Sequence, residues 1–205
     1  MFVTFEGIDG SGKSTQASRL YECLSGMFGK DMVLLTREPG GWSCGDMLRG
    51  LLLHHEWRSW SEFFLFMADR SEHVHEQIMP ALSNGLVVIC ERYIDSTLAY
   101  QGWGRGLPIE EMERLFSLMS LPVPDLTILL DIPIKTAMDR IRSRRAPDRL
   151  EEEEFLGRVR CGYRHIFERN PQRIRCVSSD KDKDEVFTEI FRLVEAFMDE
   201  SRRRR

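Results

Sequence analysis

The stretch GIDGSGKST constrains this chain more than any other feature, because it follows a short apolar run and opens a segment with helical periodicity. Gly7, Gly12, Lys13 and Ser14 fit the pattern G-x-x-x-x-G-K-[ST] in full. In that context glycines let successive backbone N–H groups face inward, while the helix start and the lysine add positive charge. The stretch therefore predicts a phosphate-binding loop, the P-loop, over residues 7–15.

The rest of the chain alternates short apolar runs with longer stretches of helical periodicity. The apolar runs lack strict alternation with polar residues, which is typical of strands buried on both faces. Predicted strands occupy residues 2–5, 32–36, 86–90, 126–131 and 173–177. Predicted helices occupy residues 13–28, 45–53, 60–83, 109–119, 134–145, 152–169 and 183–201. We therefore expect an α/β P-loop NTPase fold with a five-stranded parallel sheet and helices on both faces.

Size and charge limit the organisation of the chain. Its 205 residues, 42% of them hydrophobic, are enough for one sizeable core, so we expect a single domain over residues 1–205. The Pro- and Arg-rich segment 142–150 interrupts two predicted helices and is expected to be a mobile insert, not a domain boundary. The formal net charge of -4 predicts no nucleic-acid partner, and we expect the basic run 202–205 to be a solvated helix end.

The spacing of the cysteines and the length of the apolar stretches indicate the cellular compartment of the protein. Five scattered cysteines include no C-x-x-C pair, so neither a zinc site nor a redox site is expected. A reduced, cytoplasmic setting is the simplest interpretation. The longest nearly apolar stretch, near residues 63–68, is far too short to span a membrane, and the chain does not open with a signal-peptide pattern. We expect no membrane association.

Polar clusters rich in arginine lie at or just after the predicted second and third strands, where ligands bind in open α/β sheets. They read TREPGG (36–41) and ERYIDSTLAYQG (91–102), and FLFMADRSEH lies between them on a long predicted helix. Phe66, Arg70 and His73 share one face of that helix. An aromatic ring beside a guanidinium suits a base with carbonyl edges. The pattern alone also allows Phe66 to be plain core and Arg70 to pair with Asp69 at the surface.

Together these segments resemble the thymidylate kinase family. The resemblance covers nearly the whole chain in order, through GIDGSGKST, TREPGG, FMADRSEHV, ERY, STLAYQG and RSRRAPDRLE. That family consists of P-loop nucleoside monophosphate kinases that pass a phosphoryl group from ATP to dTMP, in support of dTTP synthesis. The resemblance implies Mg²⁺ with ATP as donor, and a homodimer packed through helices. The resemblance also implies a lid over residues 142–151. Gly10 in the P-loop, with arginines concentrated in that lid, is similar to the bacterial type.

The resemblance also implies roles for the P-loop and lid residues. The implied ATP-binding residues are Gly7, Ile8, Asp9, Gly10, Ser11, Gly12, Lys13, Ser14 and Thr15. The implied catalytic residues are Lys13, Arg92, Asp9, Arg142, Arg145 and Arg149, with Arg144 as a further lid arginine. Ser14 and Glu91 are the implied magnesium residues.

The resemblance also implies which residues bind the phosphoryl acceptor, dTMP. The implied dTMP-binding residues are Asp9, Arg37, Glu38, Phe66, Arg70, Arg92, Thr97, Tyr100 and Gln101. Among these, Phe66 stacks on thymine and Arg70 donates to a base carbonyl. Arg37 and Arg92 hold the acceptor phosphate, and Tyr100 crowds the 2′ position of the sugar, which favours deoxyribose.

Two positions depart from the family pattern. Glu91 stands where the family usually has aspartate, and Trp42 stands where threonine is expected.

Two other functions stay open. A deoxynucleoside kinase is one alternative, in which Glu38 or Glu91 acts as the carboxylate base for a 5′-hydroxyl. A nucleotide-dependent binding protein, with the lid as a contact surface, is the other. A guanine switch protein is disfavoured because no Asn-Lys-x-Asp segment occurs.

Overall fold

A computed structural model describes residues 1–143 and 152–203 of the protein. Its strands are β1 (Phe2–Glu6), β2 (Val33–Arg37), β3 (Val87–Glu91), β4 (Leu126–Asp131) and β5 (Ile174–Ser178). They form one sheet in the order β2-β3-β1-β4-β5, and every neighbouring pair is parallel. The predicted five-stranded parallel sheet is confirmed, with each strand end within one residue of its expected position.

Helices connect the strands. They are α1 (Lys13–Phe28), α2 (Gly45–His54), α3 (Ser59–His73), α4 (Met79–Ser83), α5 (Ile94–Thr97), α6 (Ile109–Leu118), α7 (Ile134–Arg142), α8 (Glu153–Arg169) and α9 (Lys183–Arg203). A π-helical segment, Val74–Ile78, joins α3 to α4, so the predicted helix over residues 60–83 is one continuous run. A second π-helical segment, Leu98–Gly104, extends α5, and this helical region was not predicted.

The apolar strands explain why both faces of the sheet carry helices. β1 is buried along its whole length, and its side chains alternate between two apolar clusters. Phe5 shares one cluster with Leu20 of α1 and Ile190 of α9. Phe2 shares the other with Ile78 of the π-helical segment after α3. A strand buried on both faces needs no polar alternation, which accounts for the mostly apolar run in the sequence.

The register brings the ends of three strands together at one edge of the sheet. Phe5 of β1 lies opposite Glu91 of β3, and Arg37 of β2 lies opposite the same Glu91. The P-loop follows β1, the segment TREPGG begins at the end of β2, and the segment ERY begins at the end of β3. Because parallel strands end on the same side, these three segments meet at one edge.

Some predicted segments fall partly outside the described residues. Arg142 is the exposed last residue of α7, whereas residues 144–151 of the predicted lid, with Arg144, Arg145 and Arg149, lie outside the described range. The end of the predicted basic run, 204–205, lies outside it as well. Within the described range, none of the helices has the length and apolar character needed to cross a membrane.

Candidate active site

The P-loop connects β1 to α1 in a tight turn that only glycine permits at two positions. Gly7 and Gly10 both have positive φ, at 137° and 78°. A Cβ on Gly7 would lie 2.5 Å from Leu130 O, and one on Gly10 would lie 2.6 Å from Ala137 O. Larger residues would therefore push the loop away from β4 and α7 as well as strain its backbone. The loop ends where α1 begins, with that helix's unpaired N–H groups at its first turn.

Lys13 lies in the P-loop, with Nζ donating a hydrogen bond to Ile8 O at 2.9 Å. Its side chain is buried, and burial, followed by the positive charge of Arg92, lowers the pKa of Lys13 to about 8. Ser11 Oγ is also buried in this loop and has no hydrogen-bond partner among the described residues. A cradle with an unpartnered hydroxyl and a desolvated cation suits an anionic ligand.

Ser14 and Glu91 lie together on the side of the P-loop that faces β3. Ser14 Oγ donates to Glu91 Oε1 at 3.0 Å. The longer glutamate side chain, where the family usually has aspartate, therefore reaches the P-loop hydroxyl. Hydroxyl and carboxylate oxygens are hard donors of the kind that Mg²⁺ prefers. The described residues contain no cluster of three or more His, Cys, Asp or Glu side chains positioned to hold a metal.

A cavity of about 220 Å³ opens on the other side of the P-loop. It is lined by Ser11, Gly12, Thr15, Gln16, Arg140, Ser179, Lys181, Lys183 and Val186. Arg140 of α7 donates to Gly10 O at 3.3 Å and to Ser179 O at 3.0 Å, which fixes α7 against the P-loop and the end of β5. Sequence analysis missed Arg140 and Lys181, because no local motif connects these distant residues to the P-loop.

Arg92 lies between the P-loop and the π-helical segment after α5. Its Nη2 donates to Asp9 Oδ1 at 2.7 Å and to Tyr100 OH at 3.1 Å, and Tyr100 OH donates to Asp9 Oδ2 at 2.9 Å. Burial alone would raise the pKa of Asp9, but the charges of Arg92 and Lys13 outweigh it and hold that pKa well below its usual range. Three predicted residues from three segments thus meet beside Lys13.

Glu6, Ser96 and Tyr163 form a buried hydrogen-bonded cluster that contacts Arg92 through Ser96 and Tyr163. Glu6 Oε2 accepts from Ser96 Oγ at 2.5 Å and from Tyr163 OH at 3.0 Å, and Glu6 Oε1 accepts the Tyr93 backbone N–H at 2.8 Å. Ser96 Oγ and Tyr163 OH are 2.8 Å apart. Burial, followed by the negative charge of Asp95, raises the pKa of Glu6 to about 7.

Arg70 of α3 is fully buried in an ion pair. Its Nε donates to Glu38 Oε2 at 2.8 Å, and its Nη2 lies 2.7 Å from the same oxygen. The other Glu38 oxygen lies 3.1 Å from His73 Nδ1, and His73 Nε2 lies 2.6 Å from Thr36 Oγ1. Because a carboxylate only accepts, His73 donates through Nδ1 to Glu38. The alternative of a surface pair between Arg70 and Asp69 is wrong, since Arg70 is paired with Glu38 in the interior.

Trp42 and Asp69 explain one departure from the family pattern. Trp42 Nε1 donates to Asp69 Oδ1 at 2.8 Å, and the Gly40 backbone N–H contacts both oxygens of Asp69 at 3.0 and 3.1 Å. Burial raises the pKa of Asp69 to about 6. The indole therefore ties the loop after β2 to α3.

Arg37 lies farther out than the other predicted residues. Its side chain is 54% exposed and lies 3.4 Å from Asp46 of α2, in a cleft of about 670 Å³ that Ser14 and Glu91 also line. Arg49 of α2, which sequence analysis missed, donates to Pro39 O at 3.0 Å. Burial and the charges of Arg37 and Arg92 lower the pKa of Arg49, so three arginines create a positive field beside the P-loop.

Comparison with known proteins identifies the family. The thymidylate kinase family model matches residues 5–190. The chain is 43% identical over 211 aligned residues to the thymidylate kinase of Desulfovibrio desulfuricans, with 97% of this chain and 96% of that protein covered. It is 38% identical to that of Wolbachia pipientis, with 95% of each covered. This chain belongs to the thymidylate kinase family.

The solved structures agree with that membership. The crystal structure of thymidylate kinase from Ehrlichia chaffeensis matches with a TM-score of 0.81 at 38% identity, covering 95% of this chain and 98% of that one. The resemblance and the fold inferred from the sequence are both confirmed. As a member of the thymidylate kinase family, the chain is a nucleoside monophosphate kinase, that is, a phosphotransferase.

Among the other predicted residues, Phe66, Thr97 and Gln101 lie in the described part of the chain. Phe66 is half-buried and is not among the residues of the apolar clusters, which argues against the plain-core alternative. Thr97 and Gln101 are buried, and Gln101 Nε2 donates to Glu62 Oε1 at 2.8 Å. Glu6, Ser96 and Tyr163 were not predicted from the sequence, and Asp69 was considered only as a surface partner of Arg70.

Proposed function

We propose that this protein transfers the γ-phosphoryl group of ATP to dTMP, giving dTDP and ADP. The observation that carries the proposal is the meeting of Arg92, Asp9 and Tyr100 beside Lys13 of the P-loop. A cationic acceptor site next to a P-loop brings two phosphate groups together, which is the main requirement of a kinase that acts on a nucleotide. Full-length similarity to thymidylate kinases supports dTMP as that nucleotide.

The acceptor side needs no general base. The second pKa of a phosphate monoester is about 6, so the attacking oxygen of dTMP is largely anionic near neutral pH. Arg92, with Arg37 and Arg49 nearby, offsets the repulsion between the acceptor phosphate and the donor phosphates. Asp9, held beside Arg92 and Tyr100, takes the 3′-hydroxyl of the sugar, and Tyr100 excludes a 2′-hydroxyl.

The donor side is the P-loop. Residues 7–15 hold the phosphates of ATP through backbone N–H groups, and the unpartnered Ser11 hydroxyl adds a donor. Lys13 exchanges Ile8 O for a phosphate oxygen, and a bound polyanion favours its charged form. The 220 Å³ cavity is lined by P-loop residues together with Arg140 and Lys181. In the proposal, it holds the part of ATP beyond the phosphates. Arg142, Arg145 and Arg149 complete the proposed donor side.

Ser14 and Glu91 would hold Mg²⁺ with the phosphates of ATP. Their hydroxyl and carboxylate oxygens are 3.0 Å apart and fit an ion that takes most of its other ligands from phosphates and water. When bound, Mg²⁺ supplies positive charge that stabilises the transferring phosphoryl group.

The base-recognition residues form the far end of the proposed site. Half-buried Phe66 stacks on thymine, and Arg70 donates from Nη1, which lies 3.6 Å from Met67 Sδ. Glu38 acts here by fixing Arg70, since both of its oxygens are already engaged by Arg70 and His73. Thr97 and Gln101 line the base side of the site.

The proposal also covers the domain organisation, the oligomeric state and the cellular compartment of the protein. Residues 1–205 form one domain with a lid over residues 142–151, and two chains pack through helices. The exposed aromatic pair Trp60 and Phe64 on α3, with ring centroids 5.9 Å apart, supports such a packing face. Five free cysteines support a reducing cytoplasm, and the net charge of -4 supports small-molecule substrates without nucleic acid.

The contacts of the two carboxylates weigh against a deoxynucleoside kinase. Such an enzyme needs a carboxylate free to take the proton of a 5′-hydroxyl. Glu38 is held by Arg70 and His73 in the interior, and Glu91 accepts from Ser14 on the P-loop. Neither stands free beside Arg92.

An acceptor panel tests the function. ADP release from Mg-ATP is measured with no acceptor, thymidine, dTMP, dUMP or the ribonucleotide of thymine. We expect strong stimulation by dTMP and little by thymidine or the ribonucleotide. Stimulation by thymidine would establish a nucleoside kinase instead, and binding of ATP without stimulation by any acceptor would establish a nucleotide-dependent binding protein.

A further inference from the structure

The two terminal nitrogens of Arg92 have different surroundings. Nη2 donates to the Asp9 carboxylate and to Tyr100 OH. Nη1 faces the interior, where its partners are Gly7 O and Ser96 Oγ, both at 3.3 Å, and Tyr163 OH at 3.4 Å. The interior partners are all uncharged oxygens, so they hold the guanidinium in place without neutralising it.

Glu6 determines the direction in which the hydroxyl hydrogens of Ser96 and Tyr163 point. An ionised carboxylate can only accept hydrogen bonds. The hydroxyls of Ser96 and Tyr163 must therefore donate to Glu6 directly, or one donates to the other, which in turn donates to Glu6. Their oxygen lone pairs are then free to accept from Arg92 Nη1. All three side chains are buried, with 0% exposure for Glu6, 8% for Ser96 and 3% for Tyr163. Water therefore has little access to substitute for these contacts.

The backbone of Arg92 adds to the need for such support. Arg92 has a φ of 66°, a left-handed conformation that non-glycine residues rarely adopt. Its backbone N–H donates to Phe5 O at 2.9 Å, next to Glu6 in β1. The side chain thus leaves a strained backbone position, and contacts on Nη1 and Nη2 define where its charge lies.

We propose that Tyr163 and Glu6, joined through Ser96, are positioning residues that orient the Arg92 guanidinium toward the acceptor phosphate. This inference rests on the proposed function. Tyr163 belongs to α8 and Glu6 to β1, so two elements far apart in sequence fix one arginine. Tyr163 acts through Arg92, because its hydroxyl is occupied by Glu6 and Ser96 and the side chain is buried.

A double-mutant cycle on dTMP binding tests the inference. The dissociation constant of dTMP is measured by calorimetry for the wild type, Tyr163→Phe, Arg92→Lys and the double variant. Measurements at about pH 8 keep Glu6 mostly ionised, because its pKa is about 7. We expect Tyr163→Phe to weaken dTMP about fivefold to tenfold in the wild type, the size of one lost hydrogen bond. In the Arg92→Lys background, which lacks the forked guanidinium, the same change should cost less than about twofold.

Tyr93→Phe is the matched control. Tyr93 OH is buried and has no hydrogen-bond partner among the described residues, so its removal should leave dTMP binding within about twofold of the wild type. ATP binding and the melting temperature are measured for every variant. Glu6→Gln is the second probe, because its amide can donate to the hydroxyls and turn their lone pairs away from Arg92; it should weaken dTMP more than ATP.

The outcomes separate this inference from the proposed function. Selective weakening of dTMP by Tyr163→Phe, absent in the Arg92→Lys background, supports it. Equal loss in both backgrounds, equal weakening of ATP and dTMP, or unchanged binding with a wild type that phosphorylates dTMP would overturn the inference alone. A wild type that neither binds nor phosphorylates dTMP would overturn the proposed function as well.

Discussion

At the residue scale, Lys13 is the most direct probe of the P-loop. We expect Lys13→Ala to lower kcat and kcat/KM together, by on the order of a hundredfold or more, because it removes a charge that stabilises the transferring phosphoryl group. Steady-state assays with dTMP and ATP measure the loss, and circular dichroism checks that the fold is intact. Lys30→Ala, which changes an exposed lysine after α1, is the matched control. Activity of Lys13→Ala within a few-fold of the wild type would contradict the P-loop assignment.

Arg70 makes a second prediction at this scale. Arg70→Ala leaves the buried Glu38 carboxylate without its cationic partner, so we expect a loss of about 3–5 kcal/mol in the free energy of unfolding. The double variant Arg70→Ala/Glu38→Gln should recover part of that loss, because its buried side chain is neutral. Urea denaturation measures both variants. An Arg70→Ala protein as stable as the wild type would show that the buried pair contributes little.

The same arginine makes a third prediction, on binding. Under conditions where Arg70→Ala remains folded, we expect dTMP to bind more weakly while ATP binding changes little, because the proposed contact of Arg70 is with the thymine base and not with the phosphates of ATP. Calorimetric titration of each nucleotide measures the split. Equal weakening of both nucleotides would contradict the role of Arg70 as a base reader.

Motifs predicted single residues well where the spacing is short, and poorly where partners are distant. The P-loop, Arg92 and Tyr100 lie in recognisable segments, and the structure brings them together. The hydrogen bond from Tyr163 to Glu6 joins residues 157 positions apart, and no local pattern predicts it. Asp69 was noticed only as a neighbour of Arg70, because its partner Trp42 is 27 positions away in a loop. Pairing of this kind is decided by the tertiary fold.

At the element scale, the strands were predictable because burial on both faces leaves mostly apolar residues in β1 and β4. The helical region over residues 94–104 was not predictable from periodicity. It is short, ends in Leu98–Gly104 with π-helical bonding, and carries buried polar side chains such as Thr97 and Gln101. A segment whose inward face contains polar residues has no apolar stripe for the sequence to show.

The link between α3 and the loop after β2 makes a prediction about pH. Burial raises the pKa of Asp69 from 3.8 to about 6, so the folded protein holds this proton more tightly than the unfolded chain does. The contribution of Asp69 to the free energy of unfolding is therefore highest below about pH 3.8 and falls as the pH rises to about 6. Relative to Asp69→Asn, which does not titrate, the wild type should lose up to about 3 kcal/mol across that window.

Urea denaturation of wild type and Asp69→Asn between about pH 4 and 7.5 measures this difference. Asp46→Asn, which changes an exposed carboxylate on α2, controls for the loss of one negative charge. A difference between wild type and Asp69→Asn that stays constant from pH 4 to 6 would contradict the raised pKa.

At the scale of the whole molecule, the proposed homodimer makes its own prediction. Phe64 is 55% exposed on α3 and packs against the exposed ring of Trp60. We expect the wild type to sediment as a dimer and Phe64→Glu to sediment as a monomer, because a charge in an apolar interface costs more than the contact contributes. Met27→Glu, which changes an exposed methionine on α1, is the matched control. A Phe64→Glu protein that remains dimeric would place the interface elsewhere.

Transfer of the γ-phosphoryl group from ATP to dTMP by the whole molecule can be followed with a label on that group. The protein is incubated with Mg-ATP labelled at the γ-phosphate and with unlabelled dTMP, and the products are separated. We expect label in dTDP, dependent on dTMP and largely lost in Lys13→Ala. Label in free phosphate alone, or in dTDP to the same extent with Lys13→Ala, would contradict it.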